Sequence, residues 1–159
     1  RDVTVAIEEL RYLNVPSHLL GNTLRLLISQ DLIRRVCTEC AEERELKDDE
    51  KQLFESHGEE PPAKVLRAVG CRKCHGYGYS GRIGIFEVVQ VDEELGTAIS
   101  NKKDPRKLRE IVRGKGGRPL VVDALQKAAE QVTTMEEVLF MHRLGESETR
   151  IDRPAASDR

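Results

Sequence analysis

All four cysteines of the chain fall into two Cys-x-x-Cys knuckles, Cys37-Thr-Glu-Cys40 and Cys71-Arg-Lys-Cys74. A knuckle of this kind presents two sulfurs from one tight turn, and two knuckles complete the four-thiolate tetrahedron that zinc adopts in structural sites. Four unrelated buried cysteines have no reason to repeat one internal spacing, so the pattern predicts a single structural zinc site held by Cys37, Cys40, Cys71 and Cys74. Four sulfurs leave no open coordination position, which argues against a catalytic metal.

Other chemistries suit these residues less well. Disulfides belong to exporting compartments, whereas 34% charged residues and no signal-like apolar run point to a cytosolic, reducing setting. Cys71-Arg-Lys-Cys74-His75 matches the covalent haem signature, with His75 as axial ligand, but haem leaves Cys37 and Cys40 without a role and requires export. Cys71-x-x-Cys74-x-Gly76-x-Gly78 resembles one repeat of the cysteine-rich module of J-domain chaperones, in which glycines let backbone amides approach the sulfurs. That module uses several repeats and this chain has one. A redox dithiol lacks its βαβ context. The glycines after Cys74 lack the order of a phosphate-binding P-loop. His57 reads as a surface residue.

With 159 residues the chain is one domain, or one domain plus part of another. Aromatics are only 4% and Trp is absent, so aliphatic side chains must fill the core. A formal charge of −2 gives no electrostatic case for nucleic-acid binding, and no apolar run is long enough to span a membrane.

Apolar spacing predicts two helices over Arg1 to Val36, broken at Asn14-Val-Pro16, with Ser17 capping the second and Leu19, Leu20, Leu24, Leu27, Ile28, Leu32 and Val36 on its face. Arg34 and Arg35 would then sit at the negative end of the helix dipole, beside the thiolates. Two helices cover such a face poorly, which implies that Arg1 is not the natural beginning of the fold. Glu42 to Glu60 predicts a short amphipathic helix around Leu46, Leu53 and Phe54, ending near Gly58 and stopped by Pro61-Pro62. Lys64 to Val69 predicts a strand or extended arm, and Arg82 to Val91 the best strand of the chain.

The rest reads as helical. Asp92 caps a helix through Leu95 and Ile99, Asp104-Pro105 opens another, and Gly114-Lys-Gly-Gly117 closes it. Leu120 to Ala128 forms an apolar face, and Thr133-Thr-Met-Glu-Glu137 carries a capping-box pattern ahead of Val138. From Gly145 onward little remains to bury, and a disordered tail is expected.

Ser29-Gln-Asp-Leu-Ile-Arg-Arg-Val-Cys-Thr-Glu-Cys40, Ala68-Val-Gly-Cys-Arg-Lys-Cys74, Gly76-Tyr-Gly-Tyr-Ser-Gly-Arg-Ile-Gly-Ile-Phe-Glu87 and Thr133-Thr-Met-Glu-Glu-Val-Leu139 together resemble the C-terminal part of the type II secretion and type IV pilus-assembly ATPases. The resemblance covers about residues 5 to 143. It implies a RecA-like hexameric motor, cytoplasmic and peripheral to the inner membrane, whose ATP-driven movement pushes on membrane partners. Retraction motors of the superfamily lack the tetracysteine insert, so the match favours the assembly or secretion branch. The family's P-loop, acidic metal boxes and histidine box precede the segment seen here, so ATP and magnesium belong to the full-length family protein and no residue of this chain takes a catalytic role. Asp31 stands where the family usually has arginine, and Ala124 and Gln131 where glycines are usual.

The expected fold is α+β and mostly helical. Residues 1–36 form the helical end of an ATPase core, 37–91 the zinc module, 92–143 a C-terminal helical subdomain and 144–159 the disordered tail. Arg82 and Glu87 are candidates for a salt bridge fixing the module to the body. A stand-alone zinc-binding interaction or chaperone-like module is the alternative reading.

Overall fold

The computed structural model describes residues 3–149. Helices α1 (Val3–Tyr12) and α2 (Ser17–Thr23) lead into a long strand β1 (Leu26–Val36). A small hairpin of β2 (Glu42–Glu45) and β3 (Lys64–Arg67) encloses α3 (Asp48–Ser56). Strand β4 (Tyr79–Gln90) follows, then α4 (Glu93–Ser100), α5 (Pro105–Gly114), α6 (Leu120–Ala129) and α7 (Met135–Thr149). The fold is α+β, with more residues in helices than in strands.

The second N-terminal helix is far shorter than its apolar face suggests. It stops at Thr23, and Leu24 is already extended. Leu26 to Val36 then pairs antiparallel with β4, from Leu26 opposite Gln90 to Val36 opposite Tyr79, with a bulge between Arg34 and Val36. The apolar positions of this stretch satisfy both a 3.6 and a 2.0 period, and periodicity alone cannot arbitrate. A twelve-residue strand needs a ladder partner for its backbone groups, and β1 supplies it. Arg34 and Arg35 therefore end a strand, and the helix-dipole role expected for them falls away. Ser17 is also not a cap: Pro16 holds that position, and Ser17 is a buried first helical residue.

Between the knuckles, the expected helix over 42–60 is divided. Glu42 to Glu45 pairs with Lys64 to Arg67, where opposite charges face across the strands: Glu43 meets Lys64 at 2.8 Å, and Glu42 meets Arg67. The helix begins only at Asp48. Asp48, Asp49 and Glu50 fill its first turn, where the dipole favours negative charge, and Gly58 (φ 73°) ends it as expected. Asp92 accepts from the Leu95 N–H, and Asp104 from that of Arg106, so both expected caps are in place. Helix α7 runs on through Gly145 to Thr149, into residues expected to be tail, because each further residue of an anchored helix gains a backbone bond. The remainder of that expected tail, 150–159, lies outside the described residues.

Two apolar cores share the β1–β4 ribbon. Leu27 and Val89, at one end, pack with Val3, Ile7, Leu20, Leu95, Ile99, Leu108 and Val112 of α1, α2, α4 and α5. Ile33 and Ile85, toward the other, pack with Leu46, Phe54 and Val65 around α3 and with α6 and α7. The first core depends on close helix approach. A Cβ built on Gly21 would lie 2.2 Å from the Gly96 carbonyl oxygen and 2.1 Å from Ser100 Oγ, so α2 meets α4 backbone to backbone.

Gly21→Ala is expected to destabilise the fold by about 1–3 kcal/mol, through forced separation of α2 and α4. Gly114→Ala, at the open end of α5 where an added Cβ meets nothing, should be neutral or stabilising by up to about 1 kcal/mol. Urea unfolding of both variants checks this.

Candidate metal centre

Backbone pairing delivers the two knuckles to one place. Cys37 follows directly on β1, and its N–H donates to the Gly78 carbonyl at 2.9 Å, just before β4 begins. Each knuckle is closed by a backbone bond back to its first cysteine: the Ala41 N–H reaches the Cys37 carbonyl at 3.0 Å, and the Gly76 N–H, one residue further on in its knuckle, reaches the Cys71 carbonyl at 2.9 Å. The ladder thus brings residues 34 positions apart into contact. Cys37 and Cys71 sulfurs are 4.0 Å apart, Cys40 and Cys74 3.8 Å, and Cys71 and Cys74 3.7 Å. All four sulfurs lie within 4.8 Å of one another.

Backbone donors are aimed at this cluster. The N–H groups of Cys71 and Gly78 both donate to Cys74 Sγ at 3.1 Å, and that of Gly70 donates to Cys40 Sγ at 3.3 Å. Two glycines make the approach possible. Gly78 has φ 75° and a Cβ there would come within 2.7 Å of the Ala68 Cβ; Gly70 has φ 111° and its Cβ would lie 2.5 Å from the Gly76 carbonyl oxygen.

The electrostatics are those of an anion site with too many anions. Burial opposes charge on Cys74, yet the two N–H donors, together with the thiols of Cys71 and Cys40, outweigh it and bring the thiol down to about 6. Cys40 moves the other way, up to about 12, first through burial and then through its three sulfur neighbours, with the Gly70 N–H opposing. Four thiols in mutual contact cannot all ionise by themselves. A cation among them reverses this, since a coordinating thiol is deprotonated outright. Cys37 and Cys74 are buried and Cys40 and Cys71 partly so, and the set can hold a metal ion.

His75 and His57 stand outside this set. His75 is exposed in a left-handed turn (φ 53°). His57 ends α3, with Nδ1 3.0 Å from the Leu53 carbonyl and its ring against the edge of His142.

The module is fixed to the body by residues the sequence did not single out for that task. Glu137 accepts from the Arg34 N–H at 2.9 Å and from its guanidinium Nε and Nη2 at 2.8 and 2.5 Å. The Arg34 guanidinium lies 4.1 Å from the Tyr79 ring centre, Tyr79 Oη contacts Thr134 Oγ1 at 2.9 Å, and Thr133 Oγ1 donates to the Arg34 carbonyl at 2.8 Å. This clamp joins the end of β1, the first residue of β4 and the start of α7, three residues from Cys37. On the other side Arg44 of β2 binds Glu50 at 2.6 and 2.7 Å and Glu136 of α7 at 3.1 Å. The Thr-Thr-x-Glu-Glu pattern did signal a cap, and Thr134 Oγ1 does accept from the Glu137 N–H at 3.4 Å. Its carboxylate reaches across to Arg34, a distant contact that local spacing cannot reveal.

Arg82 and Glu87 do not form the expected salt bridge. Five residues apart on one strand, they face opposite sides. Glu87 is buried and accepts from the Val3 N–H at 3.2 Å, while Arg82 is exposed.

Burial pushes the Glu137 carboxyl up, but Arg34, through its guanidinium and its backbone N–H, brings it below its ordinary value of 4.5. A carboxylate depressed in the folded state stabilises above its unfolded value, and that stabilisation disappears as pH falls through the folded one. Stability should therefore drop on acidification below about pH 4.5. Glu137→Gln should cost about 1–2 kcal/mol at neutral pH, since Arg34 is half exposed, and should flatten that part of the profile. Urea midpoints between pH 7 and 3 check both.

Residues 1–140 match the family model described as Type II/IV secretion system protein. The chain is 38% identical over 141 residues to the type IV pilus assembly ATPase PilB of Thermus thermophilus, with 87% of this chain and 16% of that protein covered. It is 32% identical over 134 residues to the type II secretion system ATPase E of Vibrio cholerae, covering 84% and 26%. It is 33% identical over 138 residues to the type II secretion system protein E of Pseudomonas aeruginosa, covering 87% and 27%. The chain thus spans about a sixth to a quarter of the length of these relatives. By this match and by its clustered cysteines, the chain belongs to the type II/IV secretion system protein family.

Proposed function

We propose that Cys37, Cys40, Cys71 and Cys74 hold one structural zinc ion, and that residues 37–91 form a rigid module of an ATP-driven secretion or pilus-assembly motor. The observation that carries this reading is the sulfur cluster. A tetrahedral zinc with sulfurs at about 2.3 Å separates them by about 3.8 Å, close to the 3.7–4.0 Å contacts present. Backbone N–H groups directed at sulfur stabilise thiolate charge, as a metal-bound sulfur requires.

The role is mechanical. Zinc closes the loop from Cys37 to Cys71 and removes conformational freedom that an aromatic-poor core constrains weakly. With sulfur in every position, the metal carries no reaction. Residues 1–36 would end the ATPase core, and 92–143 would complete the C-terminal helical subdomain. ATP and magnesium would be bound elsewhere in a full-length hexamer, in the cytoplasm and against the inner membrane. The module would then transmit movement to membrane platform proteins during secretion or pilus extension. The names of the relatives support this assignment, being those of type II secretion and type IV pilus assembly ATPases. No helix among the described residues is long and apolar enough to cross a membrane.

Cys74→Ser in the full-length protein should remove the metal and destabilise the module by several kcal/mol, about the size expected when a structural metal or crosslink is lost. It should abolish secretion or pilus extension while leaving nucleotide binding intact. Export at the wild-type rate by a metal-free variant would overturn the reading.

A further inference from the structure

Arg34 and Arg82 sit directly opposite each other on the β1–β4 ladder, on the same face. Like charges at facing positions are unfavourable unless something lies between or beside them to neutralise them. Glu137 does so for Arg34. Arg82 has no ion pair among the described residues and is exposed. With Arg34, Tyr77, Tyr79 and Gly81 it lines an open cleft of about 280 Å3 on the shoulder of the cysteine cluster.

One wall of this cleft is uncovered: Tyr77, which directly follows the turn that carries Cys74, is 76% exposed. The cleft therefore presents a tyrosine and one uncommitted guanidinium outward. Arginine and tyrosine at a fixed, concave position are the residue types that carry most energy in protein interfaces.

We propose that this cleft docks an acidic segment of a membrane-platform protein. A Glu or Asp carboxylate would pair with Arg82, and an adjacent apolar side chain would pack on Tyr77. The guanidinium fork suits a carboxylate in bidentate geometry, and Arg82 is the side chain free to offer it. The partner's identity rests on the motor reading above; the cleft's preference for a carboxylate rests on its own charges. An anionic membrane surface fits less well. Such surfaces are read by clusters of about four to eight basic residues, whereas this module carries Glu39, Glu42, Glu43 and Glu45 near its basic residues and the whole chain has a formal charge of −2.

The test uses the intact, zinc-loaded protein and peptides tiling the cytoplasmic segments of the inner-membrane proteins of its own secretion or pilus machine. Binding is read by fluorescence anisotropy. The bound peptides should carry a carboxylate next to an apolar residue. Arg82→Glu and Tyr77→Ala should each weaken them at least tenfold, while Arg106→Glu on α5 changes nothing. Changing the peptide's carboxylate to Arg should restore binding to the Arg82→Glu protein. Unchanged affinity in Arg82→Glu overturns the proposal, as does binding confined to vesicles containing anionic lipid. Metal content is measured on every variant. Loss of peptide binding with zinc retained belongs to the cleft, whereas a wild-type protein without zinc fails the motor-module reading instead.

Discussion

The antiparallel ladder between β1 and β4 is the constraint on which the rest of the molecule depends. Its register sets Val36 opposite Tyr79. From there the Cys37 N–H meets the Gly78 carbonyl, which places one knuckle against the approach to the other. The same ribbon contributes Leu27 and Val89 to one apolar core and Ile33 and Ile85 to a second. A slip of one residue would turn these side chains outward and carry Cys37 away from Cys71. Fold and cysteine cluster thus depend on one set of backbone hydrogen bonds.

The cysteine cluster stands where ordinary packing is thin. Of the module's side chains between the knuckles, Leu46, Phe54 and Val65 reach the buried core, and the hairpin is otherwise laced with exposed ion pairs of small individual value. A metal held by four sulfurs would supply the missing constraint. Two polar clamps then tie the module to α7: Arg34 with Glu137 and Tyr79 near the first knuckle, and Arg44 with Glu50 and Glu136 beneath α3. Both are anchored in the first turn of one helix. Tyr77 and Arg82 are left exposed in the cleft beside the first of these clamps.

Local chemistry was legible in the sequence and distant pairing was not. The two cysteines of each knuckle announce their own proximity, because each knuckle is a turn closed within a few residues, and the repeated spacing points to one shared ligand for both. The caps at Asp92 and Asp104, the strand ending at Gln90 and the α3 stop at Gly58 are likewise decided by neighbours in the chain. Leu26 to Val36 reads as helix in isolation because its apolar residues fit either period, and only pairing with the distant β4 decides for strand. Glu137 announced a capping box but spends its carboxylate on Arg34, 103 positions away. Arg82 and Glu87 invite pairing by their opposite charges, but strand alternation puts them on opposite faces.

The central claim is that four sulfurs bind one zinc, and X-ray absorption at the zinc edge of the purified protein, with elemental analysis of the same sample, tests it most directly. The account predicts one zinc per chain in a shell of four sulfurs at about 2.3 Å. A shell containing nitrogen or oxygen, a different metal, or four free thiols in a folded, metal-free protein would contradict it.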